Sequence, residues 1–273
     1  MKKRKLNKKG KILIFIIFII ISIIIYHIID KHDNNIPTND NIKSQNNVLD
    51  KISKNTKIID DKNLRDGEEV IGTTDKGFKI TKLNDVTYID GVLIVNKTYG
   101  LPSTYEPINP YKEITNDYLY GADYIEDYVM NEYLKMNEDA KKEGINLKIT
   151  SGYRSYNVQV DLYNEYKKRD GKEAADKYSA RAGHSEHQSG LCFDLNGTNE
   201  KFIETKEGKW LNDNAYKYGF TLRFPEGATK YTGYIYEGWH FRYVGVDLAT
   251  KLYNDGNWIS LEEYFGITSE YQD

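Results

Sequence analysis

From Ile12 to Ile29 the chain runs eighteen residues without a charge, its Ile, Leu and Phe content broken only by Ser22, Tyr26 and His27. As a helix rising 1.5 Å per residue, this run reaches roughly 27 Å, close to the hydrocarbon thickness of a bilayer. Such a helix has no polar face, so a place in the core of a soluble domain does not suit it. Lys2, Lys3, Arg4, Lys5, Lys8, Lys9 and Lys11 precede it with no acid among them. The positive-inside rule then keeps residues 1–11 in the cytosol and sends everything after Asp30 to the extracellular face. A cleaved signal peptide would want a small-residue site behind a shorter apolar core, and the first alanine is Ala122. The expectation is an uncleaved, single-pass cell-membrane anchor over 12–29.

The rest of the chain has the opposite charge balance. The remaining 31 of its 38 bases face all 41 acids, which argues against a broad nucleic-acid-binding surface. Residues 30–85 are rich in Asn, Asp, Lys and Ser and have no aromatic residue before Phe78. That composition buries too little to offset the entropy of ordering it, and the segment reads as a polar extracellular tether, with at most a short ordered piece near Val70 to Leu83. Aromatic density rises from Val86, where the folded domain is expected to begin. It is expected to run to 268, with 269–273 as a tail. Within it, helical periodicity covers Tyr124 to Glu143 with Gly144 as the stop. Ile145, Leu147 and Ile149 alternate as in a half-buried strand. Ser155 caps a helix reaching about Lys168, and a further helix is expected over 207–218. Strands are expected at 91–96, 191–196 and 239–244, and Ser260-Leu-Glu-Glu263 forms a capping box. Helices and strands interleave without repeated βαβ units, so the fold class is α+β. Nothing in the sequence calls for a second copy, and a monomer is expected.

One cysteine rules out an internal disulfide framework and any multi-cysteine zinc site. Only five histidines exist, of which His184, His187 and His240 fall in the folded domain. His187 and Asp194 are seven apart, and Glu237 stands three before His240. Two imidazoles and a carboxylate suit a zinc ion with one position left for water, and a further carboxylate could take that water's proton. A buried histidine bonded to an aspartate would give the same spacing, so spacing alone leaves both readings open. In a regular strand Glu237 and His240 would point to opposite faces, so Glu237 is expected in a bend before the strand.

Ser151-Gly-Tyr-Arg154, then Ser185-Glu-His187-Gln-Ser-Gly190 running into Phe193-Asp194, then Glu237-Gly-Trp-His240, resemble in order and spacing the VanY-type zinc D-alanyl-D-alanine carboxypeptidases. The related L,D-carboxypeptidases of Gram-positive walls share the pattern. The likeness spans about 90–268 and implies the hedgehog/D,D-peptidase fold, a small antiparallel sheet flanked by helices. It makes His187, Asp194 and His240 the Zn2+ ligands, Glu237 the general base and Arg154 the cation that steadies the developing oxyanion. Ser185, Gln159 and Tyr153 match positions at the substrate. The implied activity is release of the terminal D-Ala from peptidoglycan stem peptides, D,D on pentapeptides or, alternatively, L,D on tetrapeptides. Two positions depart from the pattern. Cys192 replaces a small residue and is expected as a buried filler or, alternatively, as a thiol near the zinc that oxidants could modify, and Gly238 replaces a proline and loosens the approach of Glu237. Rival readings are a cysteine peptidase with Cys192 attacking and His240 as base, and a non-catalytic zinc fold that binds the wall. No S-x-x-K motif supports a serine route.

Overall fold

Short β-prone runs separated by glycine turns build two four-stranded antiparallel sheets. The computed structural model describes residues 64–111, 124–198 and 201–272. The apolar run 12–29 and the tether up to residue 63 lie outside them. Among the described residues no helix is long and apolar enough to cross a membrane.

The first sheet is a meander of β1 (Glu69–Thr73), β2 (Lys79–Leu83), β3 (Val86–Ile89) and β4 (Val92–Leu93). Two of its strands fall inside the stretch read as tether, so the ordered domain starts before Val86. What orders them is distant in sequence. Phe78 packs edge-on against Phe265 at 5.0 Å between ring centroids. Ile80 and Phe78 join a cluster formed by Ile89, Ile94, Leu252, Leu261 and Phe265. The last two come from a C-terminal helix, Leu261–Phe265, whose Ser260 cap accepts a hydrogen bond from Glu263 N at 3.1 Å. At the open edge, Arg65 pairs with Glu68 at 2.9 Å, and Thr81 donates to the same carboxylate.

A two-stranded ribbon, β5 (Pro110–Tyr111) and β6 (Ile125–Glu126), leads into helix α1 (Asp127–Lys142). The helix lays Val129, Met130, Tyr133, Met136 and Ala140 on the main core. Helix α2 (Tyr156–Asp170) starts at Ser155, whose hydroxyl accepts from Val158 N at 3.3 Å. The 207–218 helix appears as Lys206–Asn214 followed by a tighter turn over Ala215–Tyr218. Of the strand expected across 145–149, only Ile149–Ser151 (β7) pairs. Ile145 and Leu147 are buried, but the chain there gives up its ladder, with Lys148 N donating to the Asn196 side chain at 2.7 Å.

The second sheet carries the chemistry. Its order is β7, β8 (Cys192–Leu195), β10 (Glu237–Tyr243), β9 (Phe220–Phe224), all antiparallel. Alternation along the strands gives its two faces different tasks. Phe193, Leu195, Leu222, Phe220 and Phe241 enter the main apolar core, where Tyr133 meets Phe193 edge-on at 5.4 Å. Cys192, Asp194, Arg223, His240 and Arg242 look the other way. The mixed α/β class, with small antiparallel sheets and flanking helices, agrees with the expected architecture.

Candidate active site

The pairing of β8 with β10 sets His240 opposite Asp194 and Arg242 opposite Cys192. His187 arrives from the short turn Glu186–Ser189, which ends at Gly190 in the left-handed region, φ 70°. A side chain at Gly190 would place its Cβ 2.7 Å from Pro107, so the H-x-x-G spacing is both a conformational and a packing requirement. The His187 Nδ1 bonds the Gly152 carbonyl at 2.7 Å. That bond makes Nδ1 the donor and turns Nε2 toward Asp194 Oδ2, 3.5 Å away. His240 presents the other nitrogen: its Nδ1 lies 3.3 Å from Asp194 Oδ1 and 3.7 Å from Glu237 Oε2.

Glu237 reaches this face by a device the sequence did not reveal. Four steps along β10, from Glu237 to Phe241, answer only two along β9, from Phe224 to Leu222. The bulge cancels the alternation that would have opposed Glu237 and His240, so Glu237 sits within the strand and not in a bend before it. Gly238 serves the packing at this point. A Cβ there would fall 2.4 Å from the Tyr236 hydroxyl, so the glycine leaves room for that ring.

The residues form the floor of a cleft of about 660 Å³, also lined by Ser151, Arg154, Gln159, Ser185 and Trp239. Their chemistry calls for a cation. His187, Asp194 and His240 are 5%, 5% and 4% exposed, and Asp194 Oδ1 is buried without a hydrogen-bond partner. Burial alone would depress both imidazoles. Instead the negative groups facing them, Cys192 and Asp194, raise His187 to about 9 and His240 well above its ordinary value. A divalent ion answers the same demand, and two histidines with a carboxylate are a donor set that suits zinc. Burial, reinforced by Asp194, pushes Glu237 up to about 7 against the pull of His240 and His187. A group that must both take and return a proton works best near that value.

Arg154 is held in place by its own neighbours. It donates to Gln159 Oε1 at 3.0 Å and to Ser151 Oγ at 3.1 Å, and its buried Nε has no partner. Gln159 also donates to the Ala180 carbonyl at 2.6 Å. Its amide therefore orients the guanidinium while Gln159 lines the cleft. Tyr153 corrects the sequence reading outright. It is 4% exposed, stacks on Tyr124 at 4.7 Å and is absent from the cleft lining. Ser185 does line the cleft. His184, three before His187, bonds the Asn96 carbonyl through Nδ1 at 2.8 Å and stays out of the cluster.

Sequence reasoning missed the support behind His240. Its Nε2 lies 3.5 Å from Glu186 Oε2. Arg223 contacts Glu186 at 2.8 Å and Arg242 does so at 3.1 Å, while Arg223 also forks onto Glu262 at 2.8 and 2.6 Å. Burial would raise Glu186, yet the two guanidiniums and His240 hold it far below the usual carboxylate range. A carboxylate behind a ligating imidazole fixes the ring and raises its basicity. Glu186→Gln is expected to weaken zinc binding about 10- to 100-fold, measured by competition with a chromophoric chelator. Unchanged affinity would remove Glu186 from the site. The only sequence signal was the Glu itself in Ser185-Glu-His187.

Comparison with known proteins agrees with this geometry. Residues 122–246 match the family described as VanY: D-alanyl-D-alanine carboxypeptidase. A D-alanyl-D-alanine carboxypeptidase of Enterococcus faecium is 33% identical over 218 residues, covering 77% of this chain and 69% of that protein. The LdcB LD-carboxypeptidase structure superposes with a TM-score of 0.60 at 35% identity, covering 70% of this chain and 94% of that one. A vancomycin-resistance D,D-pentapeptidase VanY, solved with Zn(II), gives 0.53 at 31%, covering 63% and 96%. Fold and site together define a metallopeptidase. The chain belongs to the VanY D-alanyl-D-alanine carboxypeptidase family.

Proposed function

We propose that this protein is a zinc-dependent D-alanyl-D-alanine carboxypeptidase that removes the terminal D-Ala from peptidoglycan stem peptides. It acts as a monomer held at the outer face of the cell membrane by the 12–29 anchor. The observation that carries the reading is the convergence of His187, Asp194, His240 and Glu237 on one cleft floor, with a buried Asp194 oxygen left unpartnered.

His187 Nε2, Asp194 and His240 Nδ1 would hold the ion. Bound there, zinc would supply a Lewis acid for the scissile carbonyl and would lower the pKa of water toward about 7. Glu237 accepts the proton of the attacking water and returns it to the amine of the departing D-Ala. Arg154, oriented by Gln159 and Ser151, stabilises the negative charge that develops on the carbonyl oxygen. Ser185 is placed to meet the terminal residue. The cysteine-peptidase alternative is disfavoured because Cys192 is fully buried, and a reactive thiol needs access. A non-catalytic wall-binding fold would have no use for Glu237 beside the ligands.

The likeness to an LD-carboxypeptidase supports a second specificity, L,D on tetrapeptide stems. Defined penta- and tetrapeptide stems separate the two, with D-Ala release as the readout. Pentapeptide cleavage alone is expected. Dialysis against a chelator should abolish release and zinc should restore it, whereas activity that survives chelation would sink the metallopeptidase reading.

A further inference from the structure

Cys192 is buried, as expected, and its neighbours bear on the second reading of it, a thiol near the metal. It is fully buried yet belongs to neither apolar cluster. Two residues before Asp194 on β8, it projects from the same face of the strand. The thiol and one nitrogen each of His187 and His240 all lie within 4.8 Å of one another. The two imidazoles stand nearly perpendicular, 85° between planes with centroids 5.0 Å apart. Asp194, whose buried Oδ1 has no hydrogen-bond partner, stands against both rings.

We propose that Cys192 is a fourth protein ligand in this chain, so that the ion is held by two histidines, one aspartate and a thiolate. The inference rests on the metal-site reading above and adds a donor to it. Bonds of about 2.3 Å to sulfur and about 2.0 Å to nitrogen set those two donors roughly 3.5 Å apart at a tetrahedral angle, so donors spread over as much as 4.8 Å would close by about an ångström around an ion. One further ligand, water or the scissile carbonyl, would then be admitted by expansion to five, which zinc permits. The thiolate also shifts metal preference toward softer ions.

The test is Co2+ substitution in the full-length chain in detergent. The parent protein should show a near-ultraviolet sulfur-to-cobalt charge-transfer band beside the visible d–d bands. Cys192→Ala should lose the first and keep the second. Should that variant fail to fold, Cys192→Ser keeps the volume, and its Cd2+-over-Zn2+ affinity ratio should fall about tenfold or more. Visible bands without a charge-transfer band in the parent, or a ratio unmoved by serine, would overturn the thiolate ligand and leave the hydrolase intact. No cobalt bands in any variant would overturn both.

Discussion

Glu237→Gln is expected to lower the rate of D-Ala release by on the order of 10²–10⁴, the range associated with a positioned acid–base group. Zinc content should stay at the parental level, because His187, Asp194 and His240 keep their geometry. The amide fits the same space on the β-bulge but can neither accept the water's proton nor hand it on. Steady-state kinetics should place the loss in kcat, since the substitution leaves Arg154, Ser185 and the rest of the cleft lining in place. The measurement pairs turnover with metal analysis on the same sample. Release within a fewfold of the parent would mean that another group moves the proton.

The second large effect concerns stability. Arg223 is 1% exposed and bridges Glu186 and Glu262, themselves 4% and 1% exposed. With Arg242 it completes a buried set of two cations and two anions. Arg223→Met preserves much of the volume but leaves Glu262 without a cation, bonded to the Asn96 amide, and Glu186 with Arg242 and His240. Removing one partner of such a set typically costs about 3–5 kcal/mol, a large part of the roughly 5–15 kcal/mol that holds a domain together. Urea unfolding of metal-free protein should show it as a lowered midpoint. Arg223→Lys should recover only part, because an ammonium cannot fork onto one carboxylate while reaching the other. A midpoint unchanged in Arg223→Met would mean that the network contributes nothing measurable. Through Glu186 the same substitution should also weaken metal binding.

Scarce residue types narrowed the candidates to His184, His187 and His240, but their spacing left a structural histidine–aspartate pair equally open. The likeness to the VanY-type enzymes named His187, Asp194, His240 and Glu237 together, and the fold brings those four side chains to one cleft floor. What resisted reading was long-range or geometric. The β10 bulge depends on register against β9, which no local pattern around Glu237 encodes. Glu186, Arg223 and Glu262 each look like ordinary surface charges, and only the fold makes them neighbours. Tyr153 was misplaced for a similar reason. An aromatic beside Arg154 suggested a pocket wall, whereas the fold stacks it on Tyr124 away from the cleft. The first sheet was read only in part, as a short ordered piece near Val70 to Leu83 and a strand at 91–96, because β1 and β2 hold few large apolar residues and the partners of Phe78 and Ile80 lie far along the chain.

That last arrangement affects how the protein is made. On a ribosome the first sheet emerges long before Leu261 and Phe265, which shelter Phe78 and Ile80. Its apolar side must wait uncovered until the Leu261–Phe265 helix has been made. A nascent chain truncated before the final helix would present that unfinished surface to chaperones and proteases.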